Sequence, residues 1–161
     1  MVLLLGAAAA CGSRGAEPAA RLSARLIRQS RDTLLFEAGA VANRCGRGGD
    51  GLVLQGNAHG NGVLIYVRSD SAANGDFPLM ARADSTTPRG AIVAARFQAG
   101  DLARGVVLDS GAVALSRAGD VLTATARGAG AEVAGTGRVA LTASFESVRI
   151  GPDTVQCAAR L

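Results

Sequence analysis

From Asp32 onward, short apolar runs alternate with clusters of turn-forming residues. Within residues 138–147, Val, Leu, Ala and Phe occupy every second position, which is the period of a strand with one buried face. Gly, Asn and Asp separate such runs at intervals of about 8–12 residues, as in folds built from short strands. The pattern therefore predicts an all-β fold, an antiparallel β-sandwich or small barrel of about eight or nine strands.

The apolar runs define the predicted strand segments. These cover residues 33–44, 51–55, 63–68, 77–82, 91–97, 106–108, 112–116, 121–127, 138–147, 148–150 and 154–158. The 161 residues are enough for one domain. Since the chain has no Trp, one Tyr and four Phe, Val and Leu must supply most of the core. We expect a thin core that benefits from a covalent cross-link.

The first ten residues are typical of a targeting segment. They form an uninterrupted apolar run that ends at Cys11, and the run is shorter than the roughly 20 residues that a membrane-spanning helix requires. Ala8, Ala9 and Ala10 directly precede Cys11, an arrangement that resembles the lipobox of bacterial lipoproteins. This resemblance implies cleavage before Cys11 and lipidation of its thiol. A conventionally cleaved signal and a buried N-terminus are the alternatives.

The number of cysteines fits this interpretation. The chain has three cysteines, and lipidation of Cys11 would leave Cys45 and Cys157 as a pair. An exported protein can keep a disulfide, and this one would close a loop of about 110 residues. Two buried thiols are the alternative. The sequence contains no CxxC motif, so the cysteine spacing does not indicate metal or redox chemistry.

The positive charge is concentrated in one short segment. Residues 12–31 contain five arginines and one glutamate, whereas the remaining residues have equal numbers of arginines and acids. Because the predicted domain is neutral and poor in aromatic residues, nucleic-acid binding is not expected. We interpret residues 11–31 as a lipid-anchored basic linker. An amphipathic helix over residues 19–30 and a first strand that begins early are the alternatives.

The chain also resembles a known family in outline. The shared features are the lipobox-like Cys11, Cys45 at the end of an early strand, glycine-rich alternating strands and a last strand that carries Cys157. Together they resemble the lipoprotein-antigen family of mycobacterial envelopes. The resemblance implies a surface-exposed β-sandwich with an inter-strand disulfide, and no particular activity follows from that fold.

Asp109 belongs to the one segment that resembles a catalytic motif. The sequence Val-Val-Leu-Asp-Ser-Gly-Ala at residues 106–112 is similar to the active-site stretch of retropepsin-type aspartic peptidases, in which two carboxylates share a proton. Only 52 residues follow Asp109, too few for the flap and later elements of that family. A tight Asp-Ser-Gly turn is therefore the preferred interpretation.

Other polar residues have simpler explanations as turn residues. His59, the single histidine, lies between Gly and Asn residues, and no nucleophile-elbow motif accompanies it. Asp50 and Asp76 lie in glycine-containing loops that lack the six to eight oxygen ligands of a calcium site. We therefore expect no catalytic residue, no cofactor and no metal.

These observations lead to one set of expectations. Residues 1–10 form a signal segment, residues 11–31 the anchored linker and residues 32–161 the β-sandwich domain. The protein is expected in the cell envelope, outside the cytoplasm and attached to a membrane, as a non-enzymatic binding or interaction module whose protein or small-ligand partner is unknown. A structural surface lipoprotein without a ligand site is the alternative, and a peptidase that uses Asp109 is a remote one.

Overall fold

A computed structural model describes residues 18–46, 51–69, 74–84, 86–133 and 135–157. These residues form nine strands and no helix, so the predicted all-β class is confirmed. The strands are β1 Arg21–Arg28, β2 Thr33–Gly46, β3 Gly51–Ala58, β4 Asn61–Arg68, β5 Gly75–Pro78, β6 Gly90–Ala99, β7 Leu102–Ala118, β8 Val121–Val133 and β9 Arg138–Gln156. Among the described residues, none belongs to a helix able to span a membrane.

The architecture is a closed barrel rather than a sandwich. Eight strands form a ring in the order β1, β2, β3, β4, β6, β7, β8, β9, and β9 pairs again with β1. Every neighbouring pair in this ring is antiparallel. The short β5 is an additional strand that pairs with the second half of β7. The chain therefore forms an up-and-down barrel, in which strands adjacent in sequence are mostly adjacent in space.

Short hairpin turns make this order possible. His59 and Gly60 connect β3 to β4 with positive φ angles of 51° and 80°, the combination that a type I′ turn requires. Gly119, with φ of 62°, begins the turn between β7 and β8. Its sequence, Arg-Ala-Gly-Asp at residues 117–120, is typical of a hairpin turn between two apolar runs.

Side chains fill the interior of the barrel. The core cluster takes inward-facing residues from all eight ring strands, and Phe77 of β5 also joins it. The largest fully buried members are Phe77, Phe97, Phe145, Leu22, Leu26, Leu52, Leu54, Ile65, Leu122 and Leu141. Alanines occupy many of the remaining inward positions, as expected for a small barrel whose lumen has room for side chains and little else.

A second, smaller apolar cluster lies on the outer surface. Val53, Tyr66 and Ile92 project outward from β3, β4 and β6, and Met80 packs over them. The half-buried Cys45 and Cys157 also pack against this cluster. The segment that follows β5 therefore covers part of the outer wall of the barrel.

The predicted boundary between linker and domain is wrong. Arg21–Arg28 forms β1, which pairs with β2 on one side and with β9 on the other. Leu22 and Leu26 are fully buried, because alternation along β1 turns them toward the core while Arg21 and Arg25 face outward. Neither a tether nor a helix describes residues 21–28, and the alternative of an early first strand is confirmed.

Several segments that were predicted as separate strands are parts of two long strands, β7 and β9. Residues 106–108 and 112–116 both lie in β7, and β9 contains the predicted segments 138–147 and 148–150 and the first three residues of 154–158. Conversely, the strand predicted for residues 77–82 ends at Pro78. A β-bulge interrupts each of the two long strands, at residues 108–110 of β7 and opposite residues 122–124 in β9. A bulge adds one residue and so reverses which positions face inward.

Candidate functional site

The two ends of the barrel differ in what they present. One end, here called the turn end, carries the connections at residues 29–32, 59–60, 100–101 and 134–137. The opposite end, here called the disulfide end, contains the beginning of β1, the end of β9 and the long connection from β4 to β6. Pro18, the first described residue, lies at this second end.

The predicted pair of cysteines is present as a disulfide. Cys45 and Cys157 have their Cα atoms 5.4 Å apart and their sulfur atoms 2.06 Å apart. At this end, where β1 no longer separates them, β2 and β9 pair directly as parallel strands. Arg44 lies opposite Thr154, and Cys45 lies opposite Val155. The disulfide therefore closes this parallel pair at the disulfide end. Cys11, the predicted lipidation site, lies outside the described residues.

An ion pair lies inside the opening at the turn end. Arg28 and Glu132 occupy inward-facing positions of β1 and β8, and the Nε atom of Arg28 is 3.0 Å from Oε1 of Glu132. The Glu132 side chain is only 5% exposed, while that of Arg28 is 30% exposed and also lies 3.5 Å from the carboxylate of Asp32. A buried carboxylate needs such a cation, because its hydration has been lost.

The last turn closes over this ion pair. The backbone N–H of Glu132 donates to the carbonyl of Gly137, and a Cβ atom on Gly135 would lie 2.5 Å from the Glu132 carboxylate. Arg104, whose Nε atom is buried, lines the same pocket of about 400 Å³. The arrangement explains how the barrel is closed at this end, with the buried Glu132 carboxylate facing the Arg28 cation.

Asp109 is not the turn residue that the sequence predicted. It lies at the bulge of β7, and its carboxylate accepts two hydrogen bonds from the Arg138 guanidinium, at 2.9 and 2.6 Å. The guanidinium lowers the pKa of the Asp109 carboxyl from its ordinary value. Both side chains are about half exposed on the outer wall. Asp109 is therefore one partner of an exposed ion pair within a strand.

The other candidate residues lie in a turn, in a strand or outside the described residues. His59 is an exposed turn residue, and Asp76 lies in β5. Asp50 falls outside the described residues. Across the described ranges, no group of three or more His, Cys, Asp or Glu side chains is arranged to hold a metal ion.

Strand β2 has an open edge near the turn end. β3 pairs with β2 only from Ala40 to Arg44, whereas β1 pairs with β2 from Thr33 to Gly39. Within the described ranges, no strand pairs with the side of Thr33–Ala38 that faces away from β1. Leu35 is 68% exposed, the highest value among the exposed large apolar residues that the structure describes.

A shallow cleft runs beside this open edge. Its volume is about 560 Å³. It is lined by Ser23, Ala24, Arg25, Leu35, Phe36, Glu37, Thr142 and Ser144. The open edge of β2 presents unpaired backbone groups, and the cleft beside it presents exposed apolar surface. These are the two properties by which a strand edge binds another strand.

The sequence analysis predicted neither the Arg28–Glu132 ion pair nor the open edge of β2, the two features near the turn end. A signal for Glu132 existed, since it follows Leu122, Ala124 and Ala126 at the same inward-facing parity of β8. An acidic residue at such a position predicts a buried ion pair. No comparable signal marked Leu35, because its exposure depends on where β3 stops pairing with β2.

Comparisons with known proteins leave the family open. No protein-family model matches the chain, and searches of curated proteins and of solved structures also returned no match.

Proposed function

We propose that this protein is an exported, lipid-anchored and non-enzymatic interaction module of the cell envelope. In this proposal Cys11 carries the lipid, the barrel is a rigid support and the turn end is presented to a partner. The observation that carries the proposal is the position of Pro18 at the disulfide end, opposite the turn end.

The length of the linker supports this orientation. Residues 12–17 separate Cys11 from Pro18, and an extended chain of that length spans about 20–25 Å. An anchor at Cys11 would therefore keep the disulfide end within that distance of the membrane. The turn end, with the open edge of β2, would face away from the membrane.

The disulfide supports an extracytoplasmic location. Disulfides persist in oxidising compartments and are rare in the reducing cytoplasm. The cross-link joins residues 112 positions apart, so it constrains most of the barrel. A lipid-anchored protein exposed to the envelope would benefit from such a constraint because alanines occupy eight of the buried positions of its core and contribute little apolar burial.

The filled interior favours binding on the outer surface. Inward-facing side chains from all eight ring strands fill the lumen, so a ligand would contact the turn end or the outer wall. The same observation supports a second candidate function, a structural surface lipoprotein without a ligand site. Loss of a specific partner after substitution at the turn end would distinguish the two.

The geometry at Asp109 gives no support to the peptidase alternative. Aspartic peptidases require two carboxylates that share a proton, and one of them has a raised pKa. The nearest charged partner of Asp109 is the Arg138 cation, and the pKa of Asp109 is lowered. Incubating the purified protein with a peptide library at acidic pH tests this alternative, since cleavage that Asp109→Asn abolishes would establish it.

Mass spectrometry of the detergent-extracted protein tests the anchor. We expect a mature chain that begins at Cys11 and carries added acyl mass. The Cys11→Ser variant should lack that mass and leave the membrane fraction, while its Cys45–Cys157 disulfide remains intact. A wild-type chain without lipid would refute the anchor.

A depth measurement tests the orientation. A fluorophore placed at residue 152, near the end of β9, should be quenched strongly by spin-labelled lipid headgroups. The same fluorophore at residue 101, in the turn between β6 and β7, should be quenched weakly. Equal quenching at the two positions would contradict the proposed orientation.

A further inference from the structure

We infer that the open edge of β2 binds the same edge of a second copy of this chain, in antiparallel register with Leu35 opposite Leu35. The segment concerned is Thr33–Glu37, which lies near the turn end. This inference concerns pairing between the barrels themselves and does not require the lipid anchor.

The backbone of this segment has hydrogen-bonding groups directed away from β1. The N–H of Ala40 donates to Ala20, and the carbonyl of Asp32 accepts from Arg28, so even-numbered residues of β2 point toward β1. Successive residues of a strand alternate in direction. The N–H and C=O groups of Thr33, Leu35 and Glu37 therefore point to the side on which β3 does not pair.

The sequence of the edge is complementary to itself. With Leu35 on a twofold axis, Thr33 faces Glu37 of the second copy, and Leu34 faces Phe36. Each Thr hydroxyl then lies opposite a carboxylate, and the pairing forms about six backbone hydrogen bonds. Because a shift by one residue would move the apolar side chains to different partners, this register is the one that matches polar with polar and apolar with apolar groups.

Apolar surface on both faces of the edge would be buried by pairing. Leu35 projects from the outer face and is 68% exposed. Leu34 and Phe36 face inward, and they are only partly buried against the core. An unpaired strand with exposed apolar side chains is a site for association with another strand.

The contact is small, so the pairing is expected to be weak. Five paired residues on each copy bury less than the roughly 1,200–2,000 Å² of a stable interface. A dimer that forms at high micromolar concentration fits this size.

Antiparallel pairing also fixes the relative orientation of the two barrels. The twofold axis is perpendicular to the sheet, so it reverses the barrel direction and places the two disulfide ends at opposite extremes. If the proposed anchor at Cys11 is correct, on which this last step rests, the paired copies are attached to two facing surfaces rather than to one.

Sedimentation velocity of the full chain with Cys11→Ser tests the pairing. Over about 1–500 μM, the range in which weak complexes dissociate, we expect a monomer–dimer equilibrium. Leu35→Lys, which places a charge on the twofold axis, should weaken dimerisation at least about tenfold. Leu102→Lys is the matched control, because Leu102 is also at the turn end and 58% exposed, and it should leave dimerisation unchanged.

A second variant tests the register through a gain in affinity, a result that unfolding of the variant could not produce. Thr33→Arg places a cation opposite Glu37 of the second copy and should strengthen dimerisation severalfold at low salt. Combining it with Glu37→Arg should abolish the dimer. A protein that stays monomeric up to about 500 μM, or one that Leu102→Lys and Leu35→Lys weaken equally, would overturn the inference.

Vesicle clustering separates the pairing from the anchor. Lipidated wild-type protein in phosphatidylcholine vesicles should cluster them, and Leu35→Lys should not. Dimerisation in solution without vesicle clustering would refute the facing-surface step and leave the pairing intact. Clustering that persists with Leu35→Lys would overturn the assignment of this edge.

Discussion

Arg28 extends from β1 into the opening of the barrel, where its Nε atom lies 3.0 Å from Oε1 of Glu132 on β8. The two residues are 104 positions apart, and β9 separates their strands in the ring. The pair therefore depends on the pairing of β9 with both β1 and β8. It brings the first strand and the end of the eighth together at the turn end.

Removing the cation of this pair should destabilise the barrel. Arg28→Met leaves the Glu132 carboxylate buried without its main partner, and the free energy of unfolding should fall by about 2–3 kcal/mol, less than for a fully buried pair because Arg28 is partly exposed. Glu132→Gln in the Arg28→Met background should recover much of the loss. Urea denaturation of both single variants and the double variant measures the coupling, and additive losses would show that the two side chains do not interact.

Breaking the disulfide should lower stability more than any single surface substitution. A loop of 112 residues corresponds to about 4–5 kcal/mol in the chain-entropy treatment. Urea denaturation of the Cys45→Ala, Cys157→Ala double variant measures the loss. Reducing agent should destabilise the wild type by the same amount and leave the double variant unaffected; equal stability of all these samples would contradict the prediction.

Glycine is required at position 130, where β7 and β8 approach closely. A Cβ atom on Gly130 would lie 2.0 Å from the Val107 carbonyl oxygen, which is backbone and cannot rotate away. Gly130→Ala should therefore lower the free energy of unfolding by about 2–3 kcal/mol. Gly105→Ala is the control, since its Cβ atom would meet nothing closer than 3.8 Å. Similar losses in both variants would show that the close approach is not the cause.

The Asp109–Arg138 pair should make stability depend on pH in acid. Because the folded-state pKa of Asp109 is lowered, its contribution is fully present above the unfolded pKa of about 3.9 and is lost as the pH falls through the folded value. The stability difference between wild type and Asp109→Asn should therefore disappear at low pH.

Carboxyl NMR titration tests the cause of this shift. In the Arg138→Gln variant the pKa of Asp109 should rise toward about 3.9, the value of an isolated aspartate. An unchanged pKa in that variant would show that Arg138 is not responsible for the lowered value.

The alternation of apolar residues was sufficient to predict the strands but not their continuity. Val106 and Leu108 face the core at even positions, whereas Val113 and Leu115 face it at odd positions. The sequence therefore predicted two strands with a turn at Asp109. A bulge makes the same change of parity inside one strand, and its position depends on pairing with β8.

The first strand shows a different limit of sequence reasoning. The arginines of residues 21–28 suggested a solvated linker, although Leu22 and Leu26 have the spacing of an inward face. Charged residues are tolerated there because they occupy the outer wall, where Arg21 forms an ion pair with Glu146 of β9. Only the pairing of residues 21–28 with neighbouring strands shows whether their positive charge or their apolar spacing decides the structure of this segment.

The amino-acid sequence alone is enough to predict the fold class, the turn between β7 and β8 and the pairing of Cys45 with Cys157, because strand period, turn chemistry and cysteine parity are local or countable properties. The folded protein was needed to show that the sheet closes into a barrel, that Glu132 meets Arg28 and Asp109 meets Arg138, and that Leu35 lies on an open edge. These relationships depend on register between strands that are distant in sequence, and register follows from the closure of the whole sheet rather than from any one segment.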